Sequence, residues 1–154
     1  MSAVQWKRIL ATTDFSPFSN KAVSYAHDLA EQTGAELHVL HVVPNSSQAA
    51  AQHGATGTYD PSDTDELTTW LGTLLGETGT IRRVESIQIG HNTPEKIAHY
   101  AQAKEIDLIV MASHGRTGLA HFWLGSTTEK VIRSVHCPVL VIRPSSQEEL
   151  GGAK

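Results

Sequence analysis

Cysteine, basic surface and long apolar runs are all scarce in this chain, and each shortage removes a class of function. Cys137 is the only cysteine among 154 residues, so no intrachain disulfide forms and a reducing compartment is expected. Placed between His136 and Pro138 at the mouth of an apolar strand, it reads as a packed, inert thiol. The 12 basic side chains are outnumbered by 16 acidic ones and form no stripe, which argues against a nucleic-acid partner. No apolar run approaches membrane-spanning length. The opening Met-Ser-Ala-Val-Gln-Trp-Lys-Arg also lacks the apolar core of a signal peptide, so the expected location is cytoplasmic, with no membrane attachment. Two glycine signatures are missing too. Without Gly-x-x-x-x-Gly-Lys-[Ser/Thr] the chain is no P-loop NTPase, and its first strand lacks the Gly-x-Gly-x-x-Gly turn of dinucleotide-binding folds.

What the chain does have is a strict alternation of strand-like and helix-like segments. Ile9 to Thr13 is a short apolar strand ending in Asp14, and Ser16-Pro17 reads as N-cap and first helical residue. Ala22, Ala26, Leu29 and Ala30 recur at helical spacing, and Gly34 closes that helix. Leu37 to Val43 is nearly continuous in Leu and Val, as in a sheet covered on both faces. Residues 44–65 are rich in Ser, Ala, Gln, Gly and Thr and read as a long flexible connection. A helix follows from about Asp65 to Glu77, with Leu67, Trp70, Leu71, Leu74 and Leu75 on its apolar face. Val84, Ile87 and Ile89 mark a less buried strand. Thr93-Pro94-Glu95 opens a helix that buries Ile97, Ala98 and Ala101. Ile106 to Met111 is a central strand, and the helix from Ser126 to Val135 turns Val131, Ile132 and Val135 inward. Pro138 to Ile142 is the last strand. Residues 1–144 thus form one domain, and 145–154 a small polar tail expected to be disordered.

Five strands alternating with four helices predict an α/β fold, a doubly wound five-stranded parallel sheet with helices on both faces. A ligand in such a sheet lies beyond the strand C-termini, where the winding reverses. The feature there that invites chemistry is Ala112-Ser113-His114-Gly115, nine residues, then Gly125-Ser126. A glycine loop running from a strand end into a helix start offers backbone N–H groups to phosphate oxygens. Gly115 and Gly118 permit a tight turn or close approach, Gly125 keeps a β-carbon out of the way, and Ser126, Thr127 and Thr128 add hydroxyls. Arg116 supplies a positive charge. The bland reading is equally concrete, because Ser126-Thr127-Thr128-Glu129 is also a capping box that closes the helix on itself. Asp14 divides in the same way between a ribose hydrogen bond and a turn, since Asp-Phe-Ser-Pro is good turn chemistry.

Affinity sets a further condition. A helix start contributes about 0.3–1 kcal/mol per anion contact, roughly 2 when sheltered, whereas micromolar binding needs about 8 kcal/mol. A nucleotide therefore also needs a base pocket, for which Thr12, Val42 and Met111 are the candidate walls. Metal chemistry finds little support. His38 and His41, three apart on one strand, face opposite sides, and His91, His99, His114, His121 and His136 show no ligand spacing. The adjacency of Ser113 and His114 orients no nucleophile and base, and no Gly-x-Ser-x-Gly elbow exists.

Four stretches resemble the universal stress protein family in order and spacing. They are Lys7 to Ser16, Leu40-His41-Val42, Asp107 to Gly118 and Cys137 to Arg143. The resemblance implies a Rossmann-like, adenine-nucleotide alpha-hydrolase-like fold. Its nucleotide-binding branch carries Gly-x-x-Gly, nine residues, then Gly-Ser/Thr, matched here by Ala112, Gly115, Gly125 and Ser126. By that resemblance Gly115, Gly125, Ser126, Thr127 and Thr128 hold ATP phosphates; independently of it, a Mg²⁺ carried in with a nucleotide would lean on the phosphates and few protein groups. The Val42 backbone reads adenine, and Asp14 with the Ala112 backbone faces adenine and ribose. Alanine at 112 departs from the pattern and is harmless if its N–H is the group used and its φ is negative. The family also implies a homodimer formed through the last strand, Val139 to Ile142.

Three functions follow as expectations. The first is an ATP-binding regulatory or stress-response protein, a switch whose moving parts are the 44–65 connection and the 116–124 loop. The second is a slow ATPase or nucleotidyl transferase relying on Asp14, His114 and Arg116; neither Ser-Gly-Gly-x-Asp-Ser nor His-x-Gly-His is present to support it. The third is a dimeric interaction module that binds no nucleotide, against which Gly115, Gly125 and Ser126 argue. The downstream protein partner is not legible.

Overall fold

Strands alternate with amphipathic helices in the computed structural model, which describes residues 3–44, 65–76, 79–114 and 124–144, and burial on both faces is confined to the three inner strands. The elements are β1 (Arg8–Thr13), α1 (Pro17–Thr33), β2 (Glu36–Pro44), α2 (Asp65–Leu75), β3 (Arg83–Gly90), α3 (Thr93–Ala103), β4 (Leu108–Ala112), α4 (Ser126–Ser134) and β5 (Val139–Ile142). The five strands are parallel in the order β3-β2-β1-β4-β5, the doubly wound sheet predicted above. The chain winds outward from β1 to β3, then returns to the other side of β1, so the switch point lies between β1 and β4.

Side-chain alternation divides the interior into two layers. Ile9, Ala11, Val39 and Val110 pack with Ala22, Val23 and Ala26 of α1 and with Leu67 and Leu71 of α2. Leu10, Leu40, Ile109 and Met111 pack on the other face with Ile97 and Tyr100 of α3 and Val131 of α4. His38 and His41 do point to opposite layers. On the α3 side, His38 Nε2 lies 2.7 Å from Glu36 Oε1 and Nδ1 lies 2.9 Å from the Tyr100 hydroxyl. Burial lowers the His38 pKa against the pull of Glu36, and burial raises that of Tyr100.

The helix ends follow local chemistry. Ser16 Oγ accepts the Ser19 N–H, Pro17 sits in the first turn, and Gly34 at φ +70° closes α1 with its N–H on the Ala30 carbonyl. Two inward positions were misread. Ile132 is 41% exposed, because Thr128, Val131 and Val135 set the inner stripe of α4 and leave Ile132 at its margin. On α3 the buried trio is Ile97, Tyr100 and Ala101; Ala98 is half-buried, and the Tyr100 ring fills the space with its hydroxyl satisfied by His38. Of the 44–65 connection, Pro44 ends β2 and Asp65 begins α2, while 45–64 and the 145–154 tail lie outside the described residues.

Candidate functional site

The two central strands part company at their ends. β1 pairs with β4 only from Ile9↔Leu108 to Ala11↔Val110, yet both strands continue past that point. Thr12 and Thr13 stay paired with β2, and Met111 and Ala112 with β5. The crevice that opens between them is where the winding rule places a ligand.

One wall is the β1–α1 turn. Asp14 Oδ1 accepts the Ser16 N–H at 2.9 Å, and Thr13 Oγ1 accepts the Phe15 N–H at 3.0 Å. The Asp14 turn reading is thereby realised, with one carboxylate oxygen committed to it. Phe15 adopts φ +63°, a left-handed conformation that a bulky residue enters at a cost of about 1–3 kcal/mol. The floor comes from Val42, 8% exposed, and Met111, 4% exposed; their side chains belong to the α3–α4 layer.

The other wall is the β4–α4 passage. The Gly125 N–H donates to the Ser113 carbonyl at 2.6 Å, and a β-carbon on Gly125 would stand 3.1 Å from that oxygen. Gly125 thus eases the close approach of two backbone segments, at an ordinary φ of −66°. The Thr128 hydroxyl, buried, donates to the Ala112 carbonyl at 2.9 Å, which pins the helix to the strand. The anticipated capping box does not form. Gly125, not Ser126, occupies the N-cap, α4 has no side-chain cap, and Glu129 pairs with Arg133 at 3.1 Å. The exposed Ser126 and half-exposed Thr127 thus begin a helix whose first N–H groups no side chain among the described residues caps. By contrast α1 is closed by Ser16 and α3 by Asn92.

Ala112 is not among the positive-φ residues, and it stays paired with Ile142 as part of β4. Its methyl packs toward the α1–α2 layer. Ser113 and His114 are closer than their adjacency promised, with Oγ 2.9 Å from Nδ1. Ser113 is fully buried, so that pair presents no nucleophile to solvent. Thr12, Asp14, Val42, Met111, Ala112, Gly125, Ser126, Thr127 and Thr128 all fall at the same edge of the sheet; Gly115 and Arg116 lie outside the described residues. Sequence reasoning passed over Phe15 and Trp70 at this edge. It also passed over His27, which with Asp28 and Glu31 groups three possible metal-ligand atoms in the C-terminal half of α1. Burial raises the Cys137 pKa, in keeping with an inert thiol. A cavity of about 410 Å³ lined by Ala98, Gln102, Ile106, Val135, His136 and Cys137 lies between α3 and α4. It opens near the starts of β4 and β5, where no helix begins.

The doubly wound parallel sheet, with its switch point between β1 and β4, defines the class of the protein as α/β. The sequence profile of the Universal stress protein family matches residues 5–143, and the chain belongs to that family. It is 31% identical over 150 residues to universal stress protein MJ0531 of Methanocaldococcus jannaschii, covering 93% of this chain and 85% of that one. Universal stress protein UspA from Lactobacillus plantarum superposes with a TM-score of 0.73 at 26% identity, over 92% of this chain and all of its own. A universal stress protein from Archaeoglobus fulgidus, solved in complex with dAMP, shares the fold at TM-score 0.64 and 20% identity, over 90% of this chain and 99% of its own. Among the described residues no helix is long and apolar enough to cross a membrane.

Proposed function

We propose that this chain binds ATP in the β1–β4 crevice and acts as a nucleotide-dependent switch in a cytoplasmic homodimer. The observation that carries the reading is the start of α4, where glycine stands at the cap and no side chain among the described residues closes the helix. Phosphates meet N–H donors at the positive end of the helix dipole there, beside the Ser126 and Thr127 hydroxyls. Thr12, Asp14 and the Val42 and Ala112 backbones line the ribose and adenine end, and Gly115 and Arg116 belong to the same proposal. The donor set fits an anion and not a bare cation: Glu129 pairs with Arg133, so Mg²⁺ would enter on the phosphates. A relative of the same fold solved with dAMP is consistent with an adenine nucleotide. Because ATP shifts a conformation only by binding two states unequally, titration calorimetry on nucleotide-stripped protein is the first test. Absence of heat at millimolar ATP would remove the reading.

The dimer part rests on the contrast between sheet edges. β3 carries Arg83, Glu85 and Gln88, with Arg83 Nε 2.6 Å from Glu85 Oε1, whereas all four residues of β5 are apolar and half-buried. An edge so free of charge is suited to pairing with a second copy. Light scattering is expected to give a dimer, and Val141→Lys a monomer.

A further inference from the structure

Phenylalanine disfavours the conformation it holds in the β1–α1 turn. A left-handed φ of +63° at Phe15 persists only where the surroundings over-determine it, and here they do. Its N–H is held by Thr13 Oγ1. Its ring lies 4.5 Å from that of His41, tilted by 58°, and 5.0 Å from that of Trp70, edge-on at 87°. The His41 Nδ1–H donates in turn to the Thr13 carbonyl at 2.8 Å. Asp14 is thus flanked by Thr13 and Phe15, and part of what pins them comes from a different element. Trp70 belongs to α2, which docks on the sheet through the fully buried Leu67 and Leu71.

We propose that Phe15 is a positioning residue for Asp14, and that docking of α2 through Trp70 is linked to ligand affinity in the crevice. With α2 docked, the Phe15 ring is held and the strained turn keeps Asp14 at the strand end. With α2 lifted, Phe15 loses its edge contact. The turn then relaxes toward conformations phenylalanine prefers, which displaces Asp14 and the Ser16 cap. A ligand that requires Asp14 in place must hold α2 down, because coupling of two equilibria is reciprocal. The proposal rests on the ATP reading of the crevice and adds to it a second element, remote from the phosphates, that responds to binding.

The test combines calorimetry with hydrogen exchange on the full chain. ATP is expected to bind the wild type and to slow amide exchange between Leu67 and Leu75. Trp70→Ala is expected to weaken ATP binding at least about fivefold, and Trp70→Phe, which keeps a ring edge toward Phe15, to restore most of the affinity. Ile97→Val, a core loss under α3, is expected to leave affinity unchanged, which separates the link from general destabilisation. No ATP binding by the wild type would sink both the crevice reading and the proposal. ATP binding with unaltered exchange in α2, or wild-type affinity in Trp70→Ala, would overturn the proposal alone.

Discussion

The starts of α1 and α4 stand on either side of the same crevice, each following a central strand, and they are finished in opposite ways. α1 closes on itself. Ser16 Oγ accepts the Ser19 N–H, Pro17 removes a donor, and Asp14 and Thr13 accept the N–H groups of Ser16 and Phe15. α4 begins at Gly125, with no side-chain cap, and its one buried hydroxyl, Thr128, points back to the Ala112 carbonyl. Two helices at equivalent places in the topology differ in whether the protein supplies its own cap. A start already satisfied by its own side chains is structural, and the contrast is what the proposed phosphate site at α4 rests on.

The largest effect is expected from giving α4 the cap it lacks. Gly125→Asp sets a carboxylate where phosphate oxygens belong, and ATP affinity is expected to fall about 100-fold, from repulsion and lost donors together. Gly125→Ala, which adds only a methyl 3.1 Å from the Ser113 oxygen, is expected to cost much less. The difference between the two calorimetric titrations isolates the charge. Thr128→Val comes next: it leaves the Ala112 carbonyl without its hydroxyl donor and is expected to cost about 1–3 kcal/mol in urea unfolding. On the closed side, Ser16→Ala is expected to lower stability by about 1 kcal/mol while leaving the phosphate contribution to affinity intact. The smallest effect on binding is expected from Ala112→Gly. Because that residue already sits in strand geometry, affinity is expected to stay within about threefold, and stability to drop by up to about 1 kcal/mol. A marked loss of ATP binding in that variant would show that β4 does not face the ligand as described.

The same two helix starts show what a sequence can disclose. Ser16-Pro17 and Gly34 bound α1 as read, because capping chemistry is local and each residue does one job. At α4 the pattern Ser126-Thr127-Thr128-Glu129 satisfies the capping-box rule equally well. Only packing of Gly125 against the Ser113 carbonyl shifts the helix start by one residue and frees Ser126. Five parallel strands were legible from alternating apolar runs, since buried strands tolerate few polar residues, whereas their order β3-β2-β1-β4-β5 depends on pairings between distant segments. Ala98 and Ile132 lie at the margin of the inner face because each sits beside a stronger claimant, Ala98 beside Ile97 and Tyr100, Ile132 beside Val131. The Phe15–Trp70 contact was invisible, for a left-handed phenylalanine has no local signature and its partner lies on another helix.

The central claim, that the open start of α4 receives the phosphates, is met most directly by backbone amide NMR during an ATP titration. Saturable shifts largest at Ser126, Thr127 and Thr128, and lost in Gly125→Asp, are the expected result. Saturable binding with those three amides unmoved, and shifts gathered instead around Val135 and Cys137 at the opposite edge, would contradict it.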